Sequence, residues 1–448
     1  MQPSARLASV IEIIEAIETA WKSPMRQPVD VLLQHYFKAR RYMGSKDRGA
    51  VAEQVYFILR NKLSLEWWCQ SLAALSTPRL LAITALALRD GMSAGHIEQW
   101  FTGENHAPAP LSREESWYAK KIQGKELNSE EMPRHVRLNI PEWTEPMLRE
   151  RFQKELDTAV AALSEEATTD LRTNTLKCTR ESLQKALRAE QIESDPTPLS
   201  LTGLRLRKRE AAFATRAFKQ GWFEMQDEGS QLLAQLVDAQ PGHKVIDFCA
   251  GAGGKTLALA ASMHNKGRIL AFDVSAKRLS QLPVRARRAG VHNITARQID
   301  NESDSFLKRH KHSADRVLVD APCSGSGTWR RNPDLKWRFT AQDLHELVAL
   351  QQRILASAAR LVKPGGVLVY ATCSLYKSEN EEQIARFISQ HGNFRVVKPE
   401  KIWNKNPQHR STDCDSFVCL TPHQDGTDGF FIARLENAAD EIREIHSD

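Results

Sequence analysis

The chain is 448 residues long, 41% apolar and 26% charged, with a net charge of +7. That length exceeds one compact core and leaves room for two or three domains, while the modest basic excess permits a polyanionic partner without specifying one. Seven irregularly spaced cysteines, an odd number, exclude a disulfide framework and suit a reduced, cytoplasmic setting, and no apolar run approaches the roughly 18 residues of a membrane-spanning helix.

The N-terminal stretch "MQPSARLASVIEIIEAIETAW" lacks the uncharged apolar run of a signal peptide, and Glu12, Glu15 and Glu18 argue against a transit peptide. Val10, Ile13, Ile14, Ile17 and Trp21 recur at three- and four-residue intervals, which predicts an amphipathic helix. "VAEQVYFILRNKL" and "PRLLAITALALRDGM" repeat that pattern, and "FTGENHAPAPLSREE" breaks it with a loop. Residues 1–140 are therefore expected to form an all-helical domain, for which a packing or interaction module is the plainest reading. Residues 141–220 follow as a small α+β unit, with a helix around "SLQKALRAE" and a basic cluster at Arg205, Arg207, Lys208 and Arg209. Such a cluster is either a solvated face or a set of phosphate contacts.

From residue 221 to 437 short apolar strands alternate with helices: "KVIDFCA" then "KTLALAASM", "GRILAFDVS" then "AKRLSQLPVRARRAG", "ADRVLVDAP" then "AQDLHELVALQQRILASAARLV", and "GVLVYATCS" then "SENEEQIARFISQ". This alternation predicts a parallel sheet covered on both faces. "DGFFIARLE" reads as a further strand near the sheet's end, and 438–448 as a polar tail.

Ligands of such sheets sit beyond the carboxyl ends of the strands. The first strand runs into Cys249, Ala250, Gly251, Ala252, Gly253, Gly254 and Lys255, a glycine turn that lets backbone approach a ligand. A phosphate-binding P-loop requires glycine where Cys249 stands, and a dinucleotide fingerprint requires glycine where Thr256 stands, so both patterns fail. What remains is the turn plus two acidic strand ends. Asp273 is placed to accept a ribose's hydroxyls and Asp300 to hold an adenine edge. An adenosine carrying an amino acid instead of phosphates, S-adenosylmethionine, fits this set.

Two cysteines stand just past strand ends on the same rim: Cys323 in "VLVDAPCSG" and Cys373 in "LVYATCS", each followed by serine. For any one cysteine an inert core position is the commoner reading; two equivalent rim positions are harder to explain that way. Beside S-adenosylmethionine, a thiolate adding to carbon 6 of cytosine makes carbon 5 nucleophilic, after which loss of the carbon-5 proton expels the thiolate. Asp320 is placed to hydrogen-bond the base and steady such an adduct. Spacing alone does not rank one cysteine above the other. Amine methylation needs no covalent cysteine, and a metal reading of Cys414 and Cys419 with His409 or His423 lacks paired spacing, so no metal is expected.

"QDEGSQ", "DFCAGAGGKT", "DAPCSGSG", "RRNPDLKW", "YATCS" followed by "SENE", and "DGFFIARL" together resemble, in order, the RsmB/Sun-type RNA cytosine-C5 methyltransferases over about residues 221–437. "TDLRTNTLK" resembles that family's small RNA-recognition-like subdomain, and "KDRGAVAEQVYFILRNK" more loosely the NusB-like helical domain of the bacterial 16S rRNA enzyme. The fold implied is a Rossmann-like class I methyltransferase domain preceded by a small α+β RNA-recognition-like subdomain and an all-helical N-terminal domain. The resemblance implies Cys373 as nucleophile, Cys323 as the residue assisting product release, and Cys249 through Lys255, Asp273, Asp300 and Asp320 as cofactor contacts, with Lys255 also at the active site. Ala252 departs from the proline many relatives carry. The expected partner is RNA, foremost 16S rRNA, with no membrane and with the chain acting as a monomer; transfer RNA and a catalytically inactive assembly factor are the alternatives. The target base must leave its stack to reach the rim. Arg330, Arg331 and Lys336 are candidate phosphate contacts near it, and the arginines of 285–288 read as a helix face.

Overall fold

The computed structural model describes residues 1–23, 25–398 and 416–438. They divide into two compact units, one of Met1–Ser164 with Asn332–Thr340, the other of Glu165–Arg331 with the chain from Ala341 onward.

The first unit is helical. Its opening helix, Pro3–Trp21, starts with proline in the first turn, where no backbone donor is needed. It buries Val10, Ile13, Ile14 and Ile17 against Val51, Val55, Leu81 and Leu86 of later helices. Ser112 and Glu115 form a reciprocal capping box at the start of Arg113–Ile122. Lys336 and Trp337 come from far along the chain yet fold into this unit. The buried Lys336 Nζ donates to Asn139 O at 2.7 Å and Arg60 O at 3.2 Å, and Trp337 Nε1 to Leu59 O at 2.6 Å. Burial pulls the Lys336 ammonium down to about 7. Lys336 is therefore an anchor inside the helical unit, not the phosphate contact its sequence suggests.

In the second unit a four-stranded antiparallel sheet leads. Its strands are β1 (Asp170–Thr173), β2 (Ser194–Pro196), β3 (Gly203–Leu206) and β4 (Phe223–Met225), in the order β2-β3-β1-β4. Leu171, Leu204 and Phe223 bury against Leu183 and Leu187 of the helix Arg180–Ala189. The basic cluster is largely paired with carboxylates: Arg205 holds Asp170 at 2.7 Å, Arg207 holds Asp195 at 2.7 Å, and Arg209 approaches Glu166 at 3.3 Å. Lys208 is exposed.

The larger sheet contains β5 (Lys244–Asp247), β6 (Arg268–Asp273), β7 (Ile294–Gln298), β8 (Ala314–Asp320), β9 (Val362–Thr372), β10 (Phe394–Val396), β11 (Val418–Leu420) and β12 (Phe430–Asn437). Its order is β10-β12-β9-β8-β5-β6-β7, with β11 paired to β12; β9 through β7 run parallel and β12 antiparallel to β9. The period of two along each strand sends Val245, Leu318, Val369 and Ala371 into one core and Ile246, Val317, Val319, Leu368 and Tyr370 into the other. Such double burial explains why these strands read as unbroken apolar runs. Because β5 lies between β6 and β8, the strand order reverses there, and the loop after β5 opens at the switch point where doubly wound sheets bind ligands.

Arg330 and Arg331 follow β8 in the chain, past the short turn Ser326–Thr328. Arg330 Nε reaches Asp428 Oδ1 at 2.5 Å, and Arg331 Nη2 reaches Asp227 Oδ2 at 2.8 Å; Arg331 also pairs with Asp428 and donates to Thr168 O at 3.1 Å. The side chain of Arg330 is buried. These two guanidiniums are committed to internal carboxylates and are not available as the phosphate contacts expected of them. Arg285 and Arg288 likewise do not face solvent as a simple helix face: both bind the carboxylate of Glu224 on β4, Arg285 at 2.9 Å.

Candidate active site

Four strands end together at the carboxyl rim, and each delivers a polar group: Asp247 from β5, Asp273 from β6, Asp320 from β8, and Thr372 with the following Cys373 from β9. After β5 the chain makes the turn 248–254. Ala250 N donates to Phe272 O at 2.8 Å and Gly251 N to Asp273 Oδ2 at 2.7 Å, which fastens the turn to the end of β6. Gly253 has φ +84° and caps the helix Gly254–Ser262; a Cβ there would lie 2.2 Å from Leu282 Cδ1. Only glycine serves at that position. At Gly251, φ is +55° and the space a Cβ would occupy is open.

The turn is also held from outside. Arg172 of β1 donates from Nη1 to Gly254 O at 2.7 Å, and Arg285 donates from Nη1 to Ala252 O at 2.7 Å while it also holds Glu224. These contacts fix the carbonyls of Gly254 and Ala252.

Asp273 is nearly fully buried and accepts from Ser275 N at 2.7 Å and Arg278 Nη2 at 3.2 Å on its other oxygen. Asp300 lies two residues past β7, exposed, with its backbone N donating to Asp304 Oδ2 at 3.0 Å. Cys249 sits within the turn, and burial, followed by the charges of Asp320, Asp247 and Asp273, pushes its thiol well above the ordinary value. A thiol so shifted carries little thiolate at neutral pH.

Asp247 is fully buried. Its Oδ2 accepts from Thr256 Oγ1 at 2.7 Å, and its Oδ1 has no partner among the described residues. Burial pushes this carboxyl up to about 7. The folded chain therefore holds a proton there that the unfolded chain loses near the ordinary value of 3.8. The stability tied to that proton is complete below about pH 4 and lost as pH rises through about 7. Asp247→Asn should remove this dependence, gaining on the wild type by up to about 1.4 kcal/mol per pH unit across that window. Urea unfolding of both proteins at pH 5 and pH 7 checks it; an unchanged gap would contradict the assignment.

On the β8 side, Lys255 Nζ bonds Asp320 Oδ2 at 2.7 Å. Burial alone would lower the lysine, but the charge and hydrogen bond of Asp320 outweigh it, with Cys373 adding to the upward pull, so the ammonium stays charged. Cys323 and Cys373, 50 positions apart, come together with their sulfurs 3.4 Å apart. The hydrogen bond to Cys373, then burial, pushes the Cys323 thiol well up. A thiol raised in this way holds its proton more firmly, and either sulfur of the pair can donate to the other.

The expected residues thus fall into three groups: the turn with Asp273, the Lys255–Asp320 pair, and the two thiols. Asp300 stands apart from the hydrogen bonds that join the first of these. Asp247, Thr256, Arg172, Arg285 and Glu224 were not legible as parts of the site; the one sequence signal for Asp247 and Thr256 is that they flank the glycine turn. Cys419 lies 4.0 Å from the Glu381 carboxylate. Cys414, His409 and the tail beyond Ala438 are outside the described residues. Among the described residues no helix is long and apolar enough to cross a membrane.

With this geometry in place, similarity to known proteins is informative. The family model described as 16S rRNA methyltransferase RsmB/F matches residues 234–436, and the ferredoxin-like domain of RsmF/B-like methyltransferases matches residues 140–212. Over 319 residues the chain is 35% identical to the probable ribosomal RNA small subunit methyltransferase B of Synechocystis sp., which spans 70% of this chain and 71% of that protein. It is 29% identical over 412 residues to the ribosomal RNA small subunit methyltransferase B of Pectobacterium carotovorum, spanning 88% and 92% of the two chains. The solved structure of PH0851 matches with a TM-score of 0.76 at 26% identity, covering 97% of this chain and 99% of that one.

Proposed function

Because the chain belongs to the RsmB/F family of rRNA methyltransferases, S-adenosylmethionine-dependent enzymes that act on RNA, we propose that it methylates carbon 5 of a cytosine in 16S rRNA through a covalent adduct on Cys373. The observation that carries this reading is the pair of thiols on the cofactor rim, whose sulfurs lie 3.4 Å apart.

The rim fits the cofactor on its own terms. The open space at Gly251 and the fixed carboxylate of Asp273 form a cradle at the switch point, and Asp300 adds an exposed carboxylate two residues past the next strand. The turn 249–255, Asp273, Asp300 and Asp320 are the residues that would hold it. Bound there, S-adenosylmethionine supplies an electrophilic methyl carbon.

The chain's own groups do the rest. Cys373 Sγ, as thiolate, forms a bond to carbon 6 of the flipped cytosine, and the displaced electron pair makes carbon 5 nucleophilic. The Asp320 carboxylate, aimed by Lys255, faces the base's ring nitrogen and amino edge and stabilises the adduct. Once carbon 5 carries the methyl group, its proton leaves to solvent, the carbon 5–carbon 6 double bond reforms, and the carbon–sulfur bond breaks with its electrons on Cys373 Sγ. The Cys323 S–H, 3.4 Å away, hydrogen-bonds the departing thiolate.

Nucleoside analysis and bisulfite sequencing of RNA from a deletion strain test the assignment. The expected result is the loss of one 5-methylcytosine from 16S rRNA, restored by the wild-type gene. Loss from transfer RNA instead would move the substrate, and no lost methyl group in any RNA would favour an RNA-binding assembly factor.

A further inference from the structure

Glu379 closes the short turn Lys377–Glu379 six residues past Cys373, and its side chain is fully buried. A buried carboxylate is costly unless donors fill its lone pairs. Oε1 accepts from Ser324 N at 2.8 Å and from Gln351 Nε2 at 2.9 Å. Oε2 accepts from the hydroxyl of Ser324 at 2.5 Å and from that of Ser374.

The identity of those donors matters. Ser324 follows Cys323, and Ser374 follows Cys373. Gln351 also donates to the carbonyl of Pro322, the residue before Cys323, at 2.9 Å. Among the described residues, every bond to this carboxylate therefore comes from a cysteine-bearing loop or from a side chain tied to one. The same two loops are joined by Gly327 N to Cys373 O at 2.9 Å and by Leu375 N to Ser326 Oγ at 2.8 Å. A Cβ at Gly327 would lie 2.4 Å from Gly429 O, so backbone packs on backbone there.

We propose that Glu379 is a positioning residue for the reaction: its carboxylate staples the loop carrying Cys323 to the loop carrying Cys373 and sets the separation of the two sulfurs. The proposal rests on the two-thiol reading of the active site. It assigns the serine after each cysteine a distinct part, with Ser374 aiming the attacking sulfur and Ser324 the sulfur that assists release.

The test uses the full chain with cofactor and RNA. Glu379→Gln keeps the shape but replaces one acceptor by a donor facing two hydroxyls. It is expected to lower kcat by about 100-fold, with cofactor affinity and KM for RNA within about twofold of wild type. Diamide, which takes two electrons and two protons from a thiol pair and leaves a disulfide, reads the separation without any catalysis. The Cys323–Cys373 disulfide should form at least about tenfold more slowly in the variant.

Ser374→Ala and Ser324→Ala separate positioning from mere folding, and serve if Glu379→Gln does not fold. Ser374→Ala should slow formation of the covalent RNA complex, whereas Ser324→Ala should let that complex accumulate. Wild-type kcat and disulfide rate in Glu379→Gln, or identical behaviour of the two serine variants, would overturn the proposal. A fully active Cys373→Ala enzyme would instead defeat the two-thiol reading, while the disulfide rate would still report on the staple.

Discussion

Cys373→Ala is expected to reduce methyl transfer by at least about 10⁴-fold, since the step it removes is the one that makes carbon 5 reactive. S-adenosylmethionine binding should be unchanged, because none of the hydrogen bonds that fix the turn 248–254 or Asp273 involves Cys373. Equilibrium binding of the cofactor and single-turnover transfer to unmodified 16S rRNA measure the two effects separately. Transfer at the wild-type rate would rule out the adduct on Cys373. Loss of cofactor affinity in parallel would point to a collapsed rim, which a thermal unfolding scan would reveal.

Cys323→Ala has the opposite signature. Attack and methylation need only Cys373 and Asp320, so the first turnover should proceed. Release then loses the donor that lies 3.4 Å from the departing sulfur. A steady-state rate lower by about 100-fold or more is expected, in line with the loss of one proton-transfer partner. RNA should stay attached to the protein through denaturing electrophoresis, and Cys373→Ala in the same chain should abolish the attached band. A Cys323→Ala enzyme that turns over normally, with no trapped RNA, would remove Cys323 from the release step.

The architecture was largely legible because β5, β6, β8 and β9 are buried on both faces, which leaves a strong apolar signal between helical stretches. Strand–helix alternation alone orders their carboxyl ends on one rim, and that is why Cys323 and Cys373 were legible as occupants of the same rim, whereas the 3.4 Å between their sulfurs was not. Ranking them was not possible from spacing, since a thiol's proton depends on what faces it in space. The misread residues share one cause. Arg330, Arg331 and Lys336 form a basic run in the sequence, but their partners stand far off along the chain: Asp227 and Asp428 for the arginines, and the carbonyls of Arg60 and Asn139 for the lysine. Glu379 read as the polar start of a helix for the same reason, because Ser324 and Gln351 are 55 and 28 positions away.

The arginines that grip the glycine turn from behind have a thermodynamic consequence. A glycine-rich segment has more conformational freedom to lose than any other, and a free one would lose it on meeting its ligand. Here Arg172 and Arg285 hold the carbonyls of Gly254 and Ala252 in the folded chain, and Gly251 N is already bonded to Asp273. The ordering entropy of the turn is therefore spent when the protein folds, so the cofactor meets a surface already set to receive it.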